Sequence, residues 1–185
     1  MKKGFLIAAI ILIIIGGALF TYALVSVSLD FSRLGTQTYA TSDYSVEGAF
    51  TKIEIDETET DVFLTRSEDG TCKVLIDECE KVRHTVAVED GTLKIAVEDA
   101  RSWLDHLTLW SKNRSMIVYL SSDVYESLAV KNHTGDVSIS VPFNFENLTV
   151  SVSTGKIEIG GASAEKIALS STTGRIALGK TTCDG

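Results

Sequence analysis

The sequence predicts an all-β protein in which an N-terminal transmembrane helix is followed by a parallel β-solenoid. Three observations predict it: an uncharged apolar run opens the chain, the remainder alternates apolar and polar residues with period two, and a Thr-Gly pair recurs in a fixed frame of aliphatics. Mean values hide this division, because the first thirty residues carry much of the hydrophobic excess behind the mean hydropathy of +0.17.

From Gly4 to Leu29 no side chain is charged. At ~1.5 Å per helical residue, such a run exceeds a hydrocarbon core of ~30 Å. Lys2 and Lys3 precede it and Asp30 is the first charge after it, so the N-terminus is expected in the cytoplasm and the rest of the chain outside. A cleaved signal peptide would share the Lys-Lys start, but the run is longer than a usual signal core and no Ala-x-Ala site closes it. Residues 1–33 are therefore expected to be a single-pass signal anchor held in membrane lipid. A lipidated cysteine is disfavoured because the first cysteine is Cys72.

Residues 34–48, polar and aperiodic, read as a linker. Alternation then begins at Phe50, Ile53 and Ile55 and continues through Val62, Leu64, Val74 and Ile76, the pattern of half-buried strands. Val86 to Ile95 reads as a hairpin, because Asp90-Gly91 supplies the positive φ of a tight turn. Met116 to Leu120 is a further strand. Between them, Trp103, Leu107 and Trp110 fall at helical spacing, which suggests either a cover for the end of a β-stack or a face for a surface or membrane protein partner.

The repeat itself is Thr134-Gly135, Thr154-Gly155 and Thr173-Gly174. Leu128 and Val130, Leu148 and Val150, and Ile167 and Leu169 precede the three glycines at the same offsets. Val137 and Ile139, Ile157 and Ile159, and Ile176 and Leu178 follow them. A degenerate copy, Ile53 and Ile55 with Val62 and Leu64, opens the domain with Thr60 where glycine would fall. Coils of about 20 residues stack ~4.8 Å apart, and one coil alone buries too little apolar surface to offset its ordering entropy. The solenoid is expected over residues 49–185. The next anchor aliphatic would fall at position 186, which reads as a C-terminal truncation.

The chain's 185 residues carry a formal charge of −8, and removing residues 1–33, with Lys2, Lys3, Arg33 and Asp30, takes it to −10. An acidic surface argues against nucleic-acid binding. Cys72 and Cys79 leave a disulfide open, although a domain of this size needs no staple, and no cofactor or metal motif is present. The acidic run Asp56 to Asp61 lacks the glycine pattern of a calcium loop and reads as a solvated turn; His84, His106 and His133 are scattered.

Phe50-Thr51-Lys52-Ile53-Glu54-Ile55, Met116-Ile117-Val118-Tyr119-Leu120 and the block Leu128 to Ile139 with its Thr134-Gly135-Asp136 turn together resemble the bacterial putative adhesin family, a membrane-anchored domain of unknown function. The resemblance implies adhesion and supplies no catalytic residue. Here Lys156 and Arg175 replace the aspartate in later copies. The function expected is a non-enzymatic extracytoplasmic binding or scaffolding module of the cell envelope. An envelope-stress signalling accessory that restrains a membrane partner is the alternative, for which Gly17 and Thr21 offer a small-residue helix contact. A carbohydrate-active β-helix enzyme would need paired carboxylates in a groove.

Overall fold

In the first turn row, the amide of Gly135 donates to the carbonyl of Thr154 (3.0 Å) and that of Gly155 to Thr173 (2.9 Å), so successive copies of the repeat lie side by side as parallel strands. The computed structural model describes residues 2–26, 39–102 and 113–183, without the side chains of residues 2, 3, 6, 24 and 180–183. It divides into a helical unit and a β unit.

The helical unit contains α1, Lys2–Ser26. Thr21 Oγ1 donates back to the carbonyl of Gly17 (2.8 Å), which satisfies the hydroxyl within the helix. Over the described residues, among which the side chains of Leu6 and Leu24 do not figure, no helix is long and apolar enough to cross a membrane.

The β unit contains β1 (Ala40–Ser45), β2 (Lys52–Glu57), β3 (Thr60–Arg66), β4 (Lys73–Glu78), β5 (Val82–Glu89), β6 (Thr92–Asp99), β7 (Arg114–Leu120), β8 (Val124–Thr134), β9 (Val137–Ile139), β10 (Phe143–Thr154), β11 (Ile157–Thr173) and β12 (Ile176–Cys183). Each rung has one strand before its turn and one after it. In spatial order the rungs are β6 with β7, β2 with β3, β8 with β9, β10 with the first part of β11, and the rest of β11 with β12.

The register is that of the repeat. Leu93, Ile53, Leu128, Leu148 and Ile167 form one column across five rungs, and Met116, Val62, Val137, Ile157 and Ile176 form another. Ile53, Leu148 and Ile157 are fully buried, whereas Ile176 and Leu178 on the outermost described rung are 41% and 52% exposed. The degenerate copy stands where the repeat predicts, with Ile53 beside Leu128. At the far corner Phe50, Tyr125, Phe143 and Phe145 pack ring against ring at 5.8–6.4 Å.

The other end of the stack is covered by antiparallel strands. β5 pairs with β6 through the Asp90-Gly91 turn, where φ is 48° and 72°, β4 pairs with β7, and β1 pairs with β4. One expectation is corrected here. Residues 34–48 are not all linker, because β1 lies within them; its inward Ser42 and Tyr44 are polar, so no apolar alternation marks it. In the described part, the end cover is made of antiparallel strands. Trp103, Leu107 and Trp110 lie outside the described residues, in the connection from β6 to β7 that takes the place of a Thr-Gly turn.

Glycine is required in the turn row for two reasons. φ is 134°, 149° and 153° at Gly135, Gly155 and Gly174, and a Cβ on Gly135 would sit 2.5 Å from the carbonyl oxygen of Thr60. At Gly155 and Gly174 the approach to the preceding glycine's carbonyl is closer still. Gly155→Ala is therefore expected to lower unfolding free energy by about 3 kcal/mol or more, whereas the exposed Thr154→Ala stays within about 0.5 kcal/mol. Chemical denaturation of the full chain in detergent measures both.

Candidate binding surface

Because alternate residues of each strand point inward, the outward set is free of packing demands and carries the chain's surface chemistry. In the turn row Thr134, Thr154 and Thr173 are in register and exposed, a hydroxyl ladder at rung spacing. Beside it the aspartates bind backbone. Asp61 Oδ1 accepts from the amide of Asp136 (2.8 Å), and Asp136 Oδ1 accepts from the amide of Lys156 (2.7 Å). Asp77 serves Ser115 in the same way (3.1 Å). Asp136 is thus a cap for the next rung. The row turns from acidic at Asp61 and Asp136 to basic at Lys156 and Arg175.

On the outside of the sheet formed by β6, β2, β8 and β10 lies a shallow trough of about 460 Å³. Ala129 leaves its floor low, Glu54, Asp56, Lys94 and Lys131 stand around it, and Thr149 adds a hydroxyl. Lys131 is 3.7 Å from Asp56. The outward side of β4, β7 and β3 differs: Leu75, Ile117 and Phe63 form one apolar cross-strand row, and Lys73 lies over the Tyr119 ring at 5.0 Å.

The interior holds polar groups that contradict one expectation. The run Asp56 to Asp61 is not a solvated turn throughout: Glu57 is 1% exposed and Thr60 fully buried. His84 is not isolated either. Its Nε2 lies 2.8 Å from Glu57 Oε2 and its Nδ1 2.9 Å from Glu78 Oε1. Glu78 also accepts from Ser42 (2.7 Å), Tyr44 (2.9 Å) and the amide of His84 (2.6 Å), and Glu57 from the amide of Thr58 (2.8 Å). Burial opposes ionisation of all three groups. It is outweighed for Glu57 by the His84 and Thr58 hydrogen bonds, and for Glu78 by those of Ser42, His84 and Tyr44, so both carboxyls lie below the usual range. The same two carboxylates raise His84.

Strand parity was the available signal for this cluster. Glu57 follows Ile53 and Ile55 at two-residue steps, Glu78 follows Val74 and Ile76, and His84 follows Val82, all at inward positions.

At the start and end of the β6–β7 connection, Arg101 (2.8 Å) and Arg114 (3.1 Å) share Glu59 Oε2. Cys72 is a free thiol that burial pushes up to about 11, which leaves it unreactive. His133 is exposed beside the turn row, as its position suggests. Among the described residues no group of His, Cys, Asp and Glu could hold a metal ion.

Parallel rungs in fixed register, one antiparallel end cover and an outward ladder define a β-solenoid repeat protein. The chain belongs to the Toastrack DUF4097 family, whose model matches residues 50–182. Solved structures similar to it include a putative adhesin from Bacteroides fragilis (16% identity, 78% of this chain and 98% of that one, TM-score 0.47). A putative cell adhesion protein from Clostridium sporogenes is similar at 11% identity, over 78% and 100% of the two chains, with TM-score 0.48. A putative lipid binding protein from Parabacteroides distasonis is similar at 14% identity, over 78% and 80%, with TM-score 0.36. No curated protein sequence matches the chain.

Removing the cap tests the reading of the turn row. Asp136→Ala is expected to cost about 1 kcal/mol by freeing the Lys156 amide, and Asp136→Asn, whose amide oxygen still accepts, to recover most of it. Denaturant midpoints of the three proteins decide.

Proposed function

We propose that this chain is a membrane-tethered, extracytoplasmic and non-enzymatic binding module, adhesin-like or scaffolding, that presents its outer sheet face and Thr-Gly row to a partner. The observation that carries the reading is the exposed ladder of Thr134, Thr154 and Thr173 beside a trough walled by charges, on a backbone fixed in register. Repeated, evenly spaced groups suit an extended ligand that makes the same contact several times. The carboxylates with displaced protonation in the Glu57–His84–Glu78 cluster are 1% and 2% exposed, so a substrate does not reach them.

The tether is supported by the uncharged run from Gly4 to Leu29, by Lys2 and Lys3 before it, and by the length of α1, which at ~1.5 Å per residue comes to ~37 Å. The outer domain's net negative charge keeps it off anionic lipid.

A signalling accessory remains a second reading because of one feature of α1. Thr21 folds its hydroxyl onto Gly17, so a small notch one turn long is open to a neighbouring helix.

Two measurements test these readings. The full chain is expected in the carbonate-resistant membrane fraction with a C-terminal phosphatase fusion active outside, and a chain lacking residues 1–33 in the soluble fraction; release of the full chain by carbonate would overturn the tether. In pull-downs from cell-surface extracts, Ala129→Arg, which fills the trough from outside the core, is expected to reduce partner capture at least tenfold, while the chain lacking residues 1–33 retains it. Capture lost with residues 1–33 and unaffected by Ala129→Arg would favour signalling through the membrane helix.

A further inference from the structure

The end cover of the stack is joined to it by three ionisable side chains from three strands. Glu57 ends β2, Glu78 ends β4 and His84 lies on β5, and their side chains are 0%, 2% and 0% exposed. Both ring nitrogens face carboxylate oxygens within 2.9 Å, and an ionised carboxylate only accepts. With both carboxyls ionised, both nitrogens donate and the ring is an imidazolium between two carboxylates.

We propose that this cluster is a proton-operated latch, which holds β4 and β5 on the stack while His84 is protonated and Glu57 and Glu78 are not, and lets them go when the ring loses its proton. The inference goes beyond the binding reading and does not depend on it.

The groups around the latch favour the closed form. From β1, Ser42 and Tyr44 donate to Glu78. From β5, Arg83 stands 3.7 Å from Glu78 Oε2, on a largely exposed side chain. The amides of Thr58 and Glu59 face Glu57. Asn132 of β8 lies beside Glu57 in register, and Glu59 is neutralised by Arg101 and Arg114. Two carboxylates and one imidazolium leave one negative charge, which these donors hold.

Deprotonation leaves one N–H for two carboxylates, and the other carboxylate then faces a nitrogen lone pair across less than 3 Å in a site shut off from water. Acid weakens the same latch in the other direction, because a protonated carboxyl loses the charge that holds the imidazolium. His84 is raised above 6.5, so its contribution is complete below that value and lost as pH rises through the raised folded pKa. Both glutamates are lowered from 4.5, so theirs is complete above that value and lost as pH falls through the lowered pKa. The latch is strongest between about 4.5 and 6.5 and holds above 6.5 until the ring titrates. Opening would leave the edges of β6 and β7 without the partners that cover them, a template for a further strand.

Hydrogen exchange of the full chain in detergent, corrected for intrinsic rates, tests the latch from pH 6 to 10. Protection in β4 and β5 is expected to fall tenfold per pH unit once the ring titrates, while β8 and β10 stay within twofold. Parallel behaviour of cover and rungs, or a flat profile in β4 and β5, would overturn the proposal. Glu57→Gln keeps an acceptor but removes its charge, and is expected to move the release at least one pH unit lower. Should that variant not fold, the His84 ring resonances of the unaltered protein decide: a ring still mostly imidazolium at pH 6.5 supports the latch, and a mostly neutral ring there sinks it.

Discussion

Register between neighbouring rungs is the constraint on which the rest of this structure depends. Every rung hydrogen-bonds to its neighbours, and every inward side chain rests on its equivalent in the next rung, as Leu148 does between Leu128 and Ile167. A slip of one residue would turn Leu148 and Val150 to solvent and bury Thr149 and Ser151, exchanging the apolar and polar faces of the whole strand. The glycine column enforces the same alignment by contact, since Gly135 admits the carbonyl of Thr60 where no side chain would fit. Aliphatic columns and turn row thus fix one another.

The repeat was legible because each interior rung meets the same surroundings, so the same residue types recur at the same offsets. The columns through Leu128, Val130, Val137 and Ile139 follow from spacing alone. The rung of β6 and β7 was not legible as a copy, although Leu93 and Met116 occupy its columns: they stand 23 residues apart, whereas Leu128 and Val137 stand 9 apart. The long connection that carries Trp103 and Trp110 breaks the period without breaking the stack. β1 was hidden for another reason. Its inward side chains bind a carboxylate instead of filling a core, so hydrophobic alternation could not reveal it. Asp136, read as a surface turn residue, proves to bind the next rung's backbone.

The interior changes character along its length. One inward column runs Glu57, Asn132, Val152 and Ser171, so its charged end lies at the antiparallel cover. Burial of charge is tolerated there because the cover brings donors from outside the repeat: Ser42 and Tyr44 from β1 and His84 from β5. The middle of the stack has no such source, as its parallel strands exchange their backbone groups with one another, and its inward columns carry aliphatics and the neutral Asn132 rather than charges. Stability is therefore of two kinds, repeated apolar burial along the rungs and a local electrostatic junction at the cover. The first varies little with pH, while the second varies through the protons of three residues.

This division bears on function. A stack stabilised from within leaves its outward positions free, and they carry Thr, Ser, Lys, Glu and Asp in rows set by the rung spacing. Enzymatic acid–base chemistry needs carboxylates whose protonation is displaced and which a substrate can touch. In the Glu57–His84–Glu78 cluster the displaced carboxylates Glu57 and Glu78 are sealed, while Glu54 and Asp56 stand open at the trough, three and one residues before Glu57 on the same strand. The parity that sends Glu57 inward sends Glu54 and Asp56 outward. One strand thereby supplies both a junction that holds the cover and charges that stand on the outer face of the sheet.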